Sequence, residues 1–91
     1  MKIVSYSTQF KKDYKRIQND LKKKAMLFEV LEMLRNEEIM PAKYQLHQLQ
    51  GKYKGCMECH LGNDFLLIWF DTEKDIIRLL RLGSHSELFR R

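Results

Sequence analysis

The sequence predicts an α+β fold: one domain over residues 1–91, of order β-α-α-β-β-β, with a small antiparallel sheet and two N-terminal helices packed on one face. Three observations predict it. Apolar residues recur at helical spacing through the first third of the chain. A nearly unbroken apolar run, Phe65 to Phe70, reads as a central strand covered on both faces. Turn residues then cut the C-terminal half into three short segments that must lie side by side.

The elements follow in order. Lys2 to Tyr6 is β-branched in its middle and reads as a strand. Ser7 or Thr8 caps the helix behind it. Phe10, Tyr14, Ile17 and Leu21 fall on one helical face, and Asn19-Asp20 breaks that helix. Leu27, Val30, Leu31 and Leu34 mark a second helix, which ends near Arg35-Asn36 ahead of Pro41. The two faces suit an antiparallel helix pair sharing an apolar stripe. Residues 36–52 form a long connection holding Pro41, His47 and Gly51, and connections of that length are often functional. Tyr53 to Leu61 reads as a strand, Gly62-Asn63 as a turn and Asp71-Thr72-Glu73-Lys74 as the next. Asp75 to Leu82 is the last strand, carrying Arg78 and Arg81, and Gly83-Ser84 ends it. The three final strands make an antiparallel meander whose second face stays partly open.

With 91 residues and 44% hydrophobic content, the chain suits one small globular domain rather than a disordered one. No apolar run approaches the ~20 residues of a membrane span, and the first residues lack the apolar core of a signal peptide. The expected compartment is the cytoplasm, with no membrane partner. The net charge of +5 points to a polyanionic or acidic partner. The excess lies early, in Lys2, Lys11, Lys12, Lys15, Arg16, Lys22, Lys23 and Lys24 against Asp13 and Asp20. Charge alone does not separate RNA from an acidic protein segment, or either from a solvated helix face.

The stretch His47 to His60, HQLQGKYKGCMECH, raises three chemistries: a metal site, a redox pair, or acid/base catalysis. Side chains alternate along a strand, so Cys56, Glu58 and His60 share one face and Met57, Cys59 and Leu61 the other. A Cys-x-x-Cys pair within a strand aims its sulfurs to opposite faces, which suits neither a tetrahedral zinc site nor a thiol pair at a strand-to-helix junction. Cys59 reads as a small core residue. Glu58 and His60 bring a carboxylate and an imidazole to the open face, as acid/base chemistry requires.

The run His47 to Gly55, then Glu58-Cys59-His60, Asp64 and Arg81-Leu82-Gly83-Ser84-His85-Ser86-Glu87-Leu88-Phe89, resembles the YafQ branch of the RelE/ParE superfamily of type II toxin–antitoxin toxins. The likeness spans nearly the whole chain, and all three histidines fall at family positions. It implies a RelE-like microbial RNase fold and a ribosome-dependent mRNA endonuclease that inhibits translation and needs no metal or cofactor. It further implies a cognate antitoxin, the ribosome with its mRNA, and operator DNA only as the toxin–antitoxin complex. The family's functional positions carry over to His47, Glu58, His60, Asp64, Arg81, His85 and Phe89. Glu58 stands where some relatives have Asp, Phe65 where some have Trp, and Arg90 and Arg91 follow the usual terminal Phe, where they would add a phosphate contact or nothing.

On that resemblance, His60 or Glu58 is the expected base, His85 the acid and Arg81 the cation for the phosphorane. His47 and Asp64 position groups, and Phe89 stacks on a base. Lys11, Lys12, Lys15, Arg16, Lys22, Lys23, Lys24, Lys52 and Lys54 are the expected RNA-binding cations, and those of the helices equally suit an acidic antitoxin. The competing reading is a non-nucleolytic protein of the same fold, acting on gyrase or as a corepressor with its antitoxin. The ParE branch that targets gyrase lacks this histidine set.

Overall fold

The structure, a computed structural model, describes residues 1–72 and 74–89. Glu73 of the expected turn, and Arg90 and Arg91, lie outside the described residues.

Strand β1 (Ile3–Tyr6) runs straight into helix α1 (Thr8–Ile17). Ser7 is the cap: its hydroxyl oxygen accepts the Phe10 N–H at 2.9 Å and its O–H donates to the Leu80 carbonyl at 2.9 Å. One side chain thus starts the helix and ties it to the sheet. Ser7→Ala removes both bonds and is expected to cost about 1–2 kcal/mol. Urea unfolding checks this, and a midpoint equal to the wild type's would refute it.

Asp20 accepts the Lys23 N–H at 3.1 Å and starts helix α2 (Leu21–Arg35). Leu27, Val30 and Leu31 face the core with Phe10 and Ile17 of α1. Leu21, expected on the α1 face, is instead 76% exposed. The Asp20 cap restarts the helix in a new direction, so the 3.6-residue register of α1 does not carry across the break.

The other strands are β2 (His47–Gln48), β3 (Met57–Gly62), β4 (Phe65–Asp71) and β5 (Ile76–Gly83). The sheet order is β1-β5-β4-β3-β2. The meander β3-β4-β5 is antiparallel, as expected. β1 pairs in parallel with β5, from Ile3 opposite Ile76 to Tyr6 opposite Leu79, so the sheet is mixed. The strand expected from Tyr53 starts only at Met57, because Gly51–Tyr53 form a 3-10 turn. Gly51 and Gly55, at φ +71° and +89°, hold conformations that glycine adopts without steric cost. Helix α3 (His85–Leu88) was not expected; Ser84 and Glu87 close a reciprocal capping box around it.

β4 is covered on both faces. Leu67 and Trp69 enter the main core beneath α1 and α2, while Leu66 and Ile68 enter a second cluster with Cys56 and Leu88, closed by Leu49, Tyr53 and Leu80. The face expected to be partly open is therefore sealed at its centre by α3 and the segment after β2. Cys59 lies in the first cluster and Cys56 in the second, on opposite faces as expected. Burial pushes the Cys59 thiol up to about 12 and raises Cys56 as well, so both stay protonated at neutral pH.

Candidate functional site: a row of three histidines

Directly opposed residues in an antiparallel sheet share a face. His47 pairs with Glu58, Glu58 with Ile68 and Ile68 with Arg81, so one row crosses β2, β3, β4 and β5. Its charged members rim the second apolar cluster, of which Ile68 is part. His60 follows two residues along β3, and the β3–β4 turn brings Asp64 near the start of α3, where His85 stands.

The imidazoles line up. Ring centroids lie 6.2 Å apart for His47 and His60, 5.7 Å for His60 and His85, and 6.2 Å for His85 and Phe89. Tyr53 meets Phe89 edge-on at 5.8 Å and ends the row. Six of the seven residues expected at a site thus meet in one contact chain: His47, Glu58, His60, Asp64, His85 and Phe89.

Glu58 departs from expectation in one respect. Its carboxylate is not on an open face; the residue is only 3% exposed. Oε1 lies 3.0 Å from His47 Nε2 and 3.9 Å from His60 Nε2. Oε2 is buried and has no hydrogen-bond partner among the described residues. His47 Nδ1 lies 2.7 Å from the Gln45 carbonyl, which only accepts, so Nδ1 carries a hydrogen. On the other side of the ring, Nε2 faces the Glu58 carboxylate.

Asp64 Oδ1 accepts from both the His85 backbone N–H, at 2.9 Å, and the ring Nδ1, at 2.8 Å. The backbone bond first, and the imidazole bond second, hold the Asp64 carboxyl below its ordinary range. The ring is oriented through Nδ1, and Nε2 stays available for proton exchange. His85 and Asp64 are both exposed.

Arg81 is held from behind. Its Nε donates to Asp13 Oδ2 at 2.8 Å and one terminal nitrogen donates to Asp13 Oδ1 at 3.3 Å. Asp13 also accepts the Leu82 backbone N–H at 2.9 Å, just past the last residue pair of β1 with β5. Asp13 is 1% exposed, and its bonds raise the Arg81 pKa further above its ordinary value, ahead of a weaker bond to the Tyr53 hydroxyl. Two of the five guanidinium hydrogens go to Asp13 and a third to the Tyr53 hydroxyl at 3.4 Å, which leaves two for an anion.

Sequence reasoning missed Asp13 and Tyr53. For Asp13 a signal existed: it falls at i+3 from Phe10, inside the apolar stripe, where a carboxylate needs a cation.

The expected RNA-binding cations are spread more widely. Lys52 and Lys54 lie exposed around the Gly51 turn, with Lys52 Nζ 5.5 Å from the Tyr53 ring beside Phe89. Arg16 pairs with Glu87 of α3 at 3.1 Å, and Lys23 sits 5.3 Å over the Phe65 ring. Both flank a small cavity that Asp64 also lines. Lys12, Lys22 and Lys24 lie on the helices, Lys24 half-buried, and Lys11 and Lys15 border an apolar groove lined by Tyr6, Phe10, Leu27 and Phe28. Among the described residues, no group of three His, Cys, Asp or Glu side chains is arranged to hold a metal ion, and no helix is long and apolar enough to cross a membrane.

Comparison with known proteins bears on this arrangement. The family model described as "Bacterial toxin of type II toxin-antitoxin system, YafQ" matches residues 2–90. The mRNA interferase toxin YafQ of Escherichia coli (strain K12) is 37% identical over 87 residues, covering 94% of each chain. The crystal structure of YafQ from E. coli strain BL21(DE3) superposes with a TM-score of 0.87 at 34% identity, covering 98% of this chain and 99% of that one. The toxin chain in the E. coli DinJ-YafQ toxin–antitoxin complex superposes at 0.84 with 36% identity, covering 97% of each.

Proposed function

The chain belongs to the YafQ family of type II toxin–antitoxin toxins and is an mRNA interferase; we propose that it cuts mRNA on the ribosome through its histidine row, with the RNA 2′-hydroxyl as nucleophile. The observation that carries this reading is the buried Glu58 carboxylate beside two imidazoles, with a third imidazole one ring away. Such a set can take one proton and deliver another without a metal or cofactor.

His60, with Glu58 behind it, takes the 2′-hydroxyl proton, or Glu58 takes it with His60 orienting. The freed oxygen attacks phosphorus, and the bond to the 5′-oxygen breaks. His85, oriented by Asp64, protonates that leaving oxygen. The products are a 2′,3′-cyclic phosphate and a 5′-hydroxyl. Arg81, fixed by Asp13, donates to the phosphorane oxygens where charge develops. His47 holds Glu58 in place, and Phe89 stacks on a base of the substrate. The basic groups from Lys11 to Lys24, with Lys52 and Lys54, meet ribosomal and message phosphates or an acidic antitoxin segment. The partner in the cytoplasm is a cognate antitoxin, and the pair binds operator DNA as a complex.

Primer extension in a purified translation system tests this. Cuts within the reading frame should require ribosomes, and a 2′-deoxy nucleotide on the 5′ side of the cut should abolish cleavage there. Cleavage that survives the 2′-deoxy substitution would overturn the mechanism. No cleavage by folded protein would leave the binding alternative, to be tested on gyrase and operator DNA.

A further inference from the structure

A cavity of about 370 Å³ opens directly beside the histidine row and is not used by the chemistry above. It lies within the size range of ligand sites, roughly 300–1,000 Å³. His60 and Asp64 form part of its wall, so whatever fills it lies against the reacting groups. Met26, Tyr44 and Leu61 add apolar surface, while Glu29, Gln45 and Asn63 add hydrogen-bonding groups. That combination of flat apolar contact and amide and carboxylate edges matches an unstacked nucleobase.

We propose that this cavity is the base-reading subsite of the nuclease, taking the base of a nucleotide next to the scissile phosphate, with Gln45, Asn63 and Glu29 as its specificity-determining residues. The inference rests on the nuclease reading above. Side-chain amides offer a donor and an acceptor together, the pairing that reads base edges. The Glu29 carboxylate only accepts, so it favours a base edge with an exocyclic amino group over the uracil edge, where two carbonyls flank the single N3–H. The wall is also prepositioned. The Tyr44 O–H donates to Glu29 Oε1, and the Tyr44 pKa is pushed up to about 12, chiefly by that bond and then by burial. Gln45 and Asp64 hold positive φ of +49° and +51°, backbone that non-glycine residues adopt mainly where surrounding structure imposes it. The Gln45 carbonyl meanwhile anchors His47 at 2.7 Å, which couples the cavity wall to the catalytic row.

The test reads the distribution of cuts rather than their total. A message library with all four bases varied around the cut would be translated with wild-type protein, Gln45→Gly, Asn63→Ala and Glu29→Gln. Glycine suits the positive φ at position 45, and Gln at position 29 still accepts from Tyr44. Circular dichroism confirms that each variant is folded. The expected result is discrimination between bases at one flanking position falling at least about fivefold in Gln45→Gly or Asn63→Ala, with uracil admitted by Glu29→Gln. A wild-type protein that cuts, with an unchanged base profile in all three variants, overturns the subsite alone. A wild-type protein that cuts nothing overturns the nuclease reading and the subsite with it.

Discussion

His85→Ala is expected to lower ribosome-dependent cleavage by about 10²–10⁴-fold, the usual contribution of a positioned general acid. His85 stands between His60 at 5.7 Å and Phe89 at 6.2 Å, with Nδ1 committed to Asp64 and Nε2 left for the leaving oxygen. The fold should survive, because the side chain is exposed and the residue's backbone N–H still donates to Asp64. That backbone bond is also the larger cause of the lowered Asp64 pKa, so the carboxylate stays charged in the variant. Unfolding curves should therefore agree with the wild type within ~0.5 kcal/mol, as for exposed substitutions generally. Single-round cleavage on stalled ribosomes separates this from weaker binding. If the rate at saturating protein were within threefold of wild type, His85 would not be the acid, and His47 or His60 would take that role.

Asp13→Ala is expected to be the most damaging substitution to the fold outside the main apolar core, costing about 3–5 kcal/mol. It removes an acceptor from Arg81 Nε at 2.8 Å and strands the Leu82 N–H, which bonds to Asp13 at 2.9 Å. It also leaves a guanidinium partly buried without its counter-charge. Asp13→Asn keeps one acceptor oxygen and should cost less, so it gives folded protein if the alanine variant does not. In that variant the maximal cleavage rate should fall, with substrate affinity nearly kept, because Arg81 would be present but loosely aimed. Guanidinium unfolding and a rate-against-concentration series read the two effects separately. A wild-type midpoint for Asp13→Ala would show that the buried pair contributes nothing to stability; a wild-type maximal rate in Asp13→Asn would show that Arg81 needs no anchor.

Periodicity marked both helices, and the Phe65–Phe70 run marked the doubly covered strand, because both patterns are local consequences of burial. The family likeness rested on His47, Glu58, His60, Asp64, Arg81, His85 and Phe89. Six of these meet in one contact chain, and Arg81 shares a sheet row with His47 and Glu58. Other features were not legible. Leu21 broke its stripe because a cap can reorient a helix without changing its spacing. The two-residue strand at His47 is too short to have a period, and only pairing with β3 creates it.

The sequence by itself determined the α+β class, the antiparallel meander and the residue types available for acid/base chemistry, since these follow from composition, turn residues and short-range spacing. Only the tertiary structure decided the parallel seat of β1, the burial of Glu58, its contact with His47 and the grip of Asp13 on Arg81. Those depend on contacts between residues 11 to 73 positions apart, which no local pattern encodes.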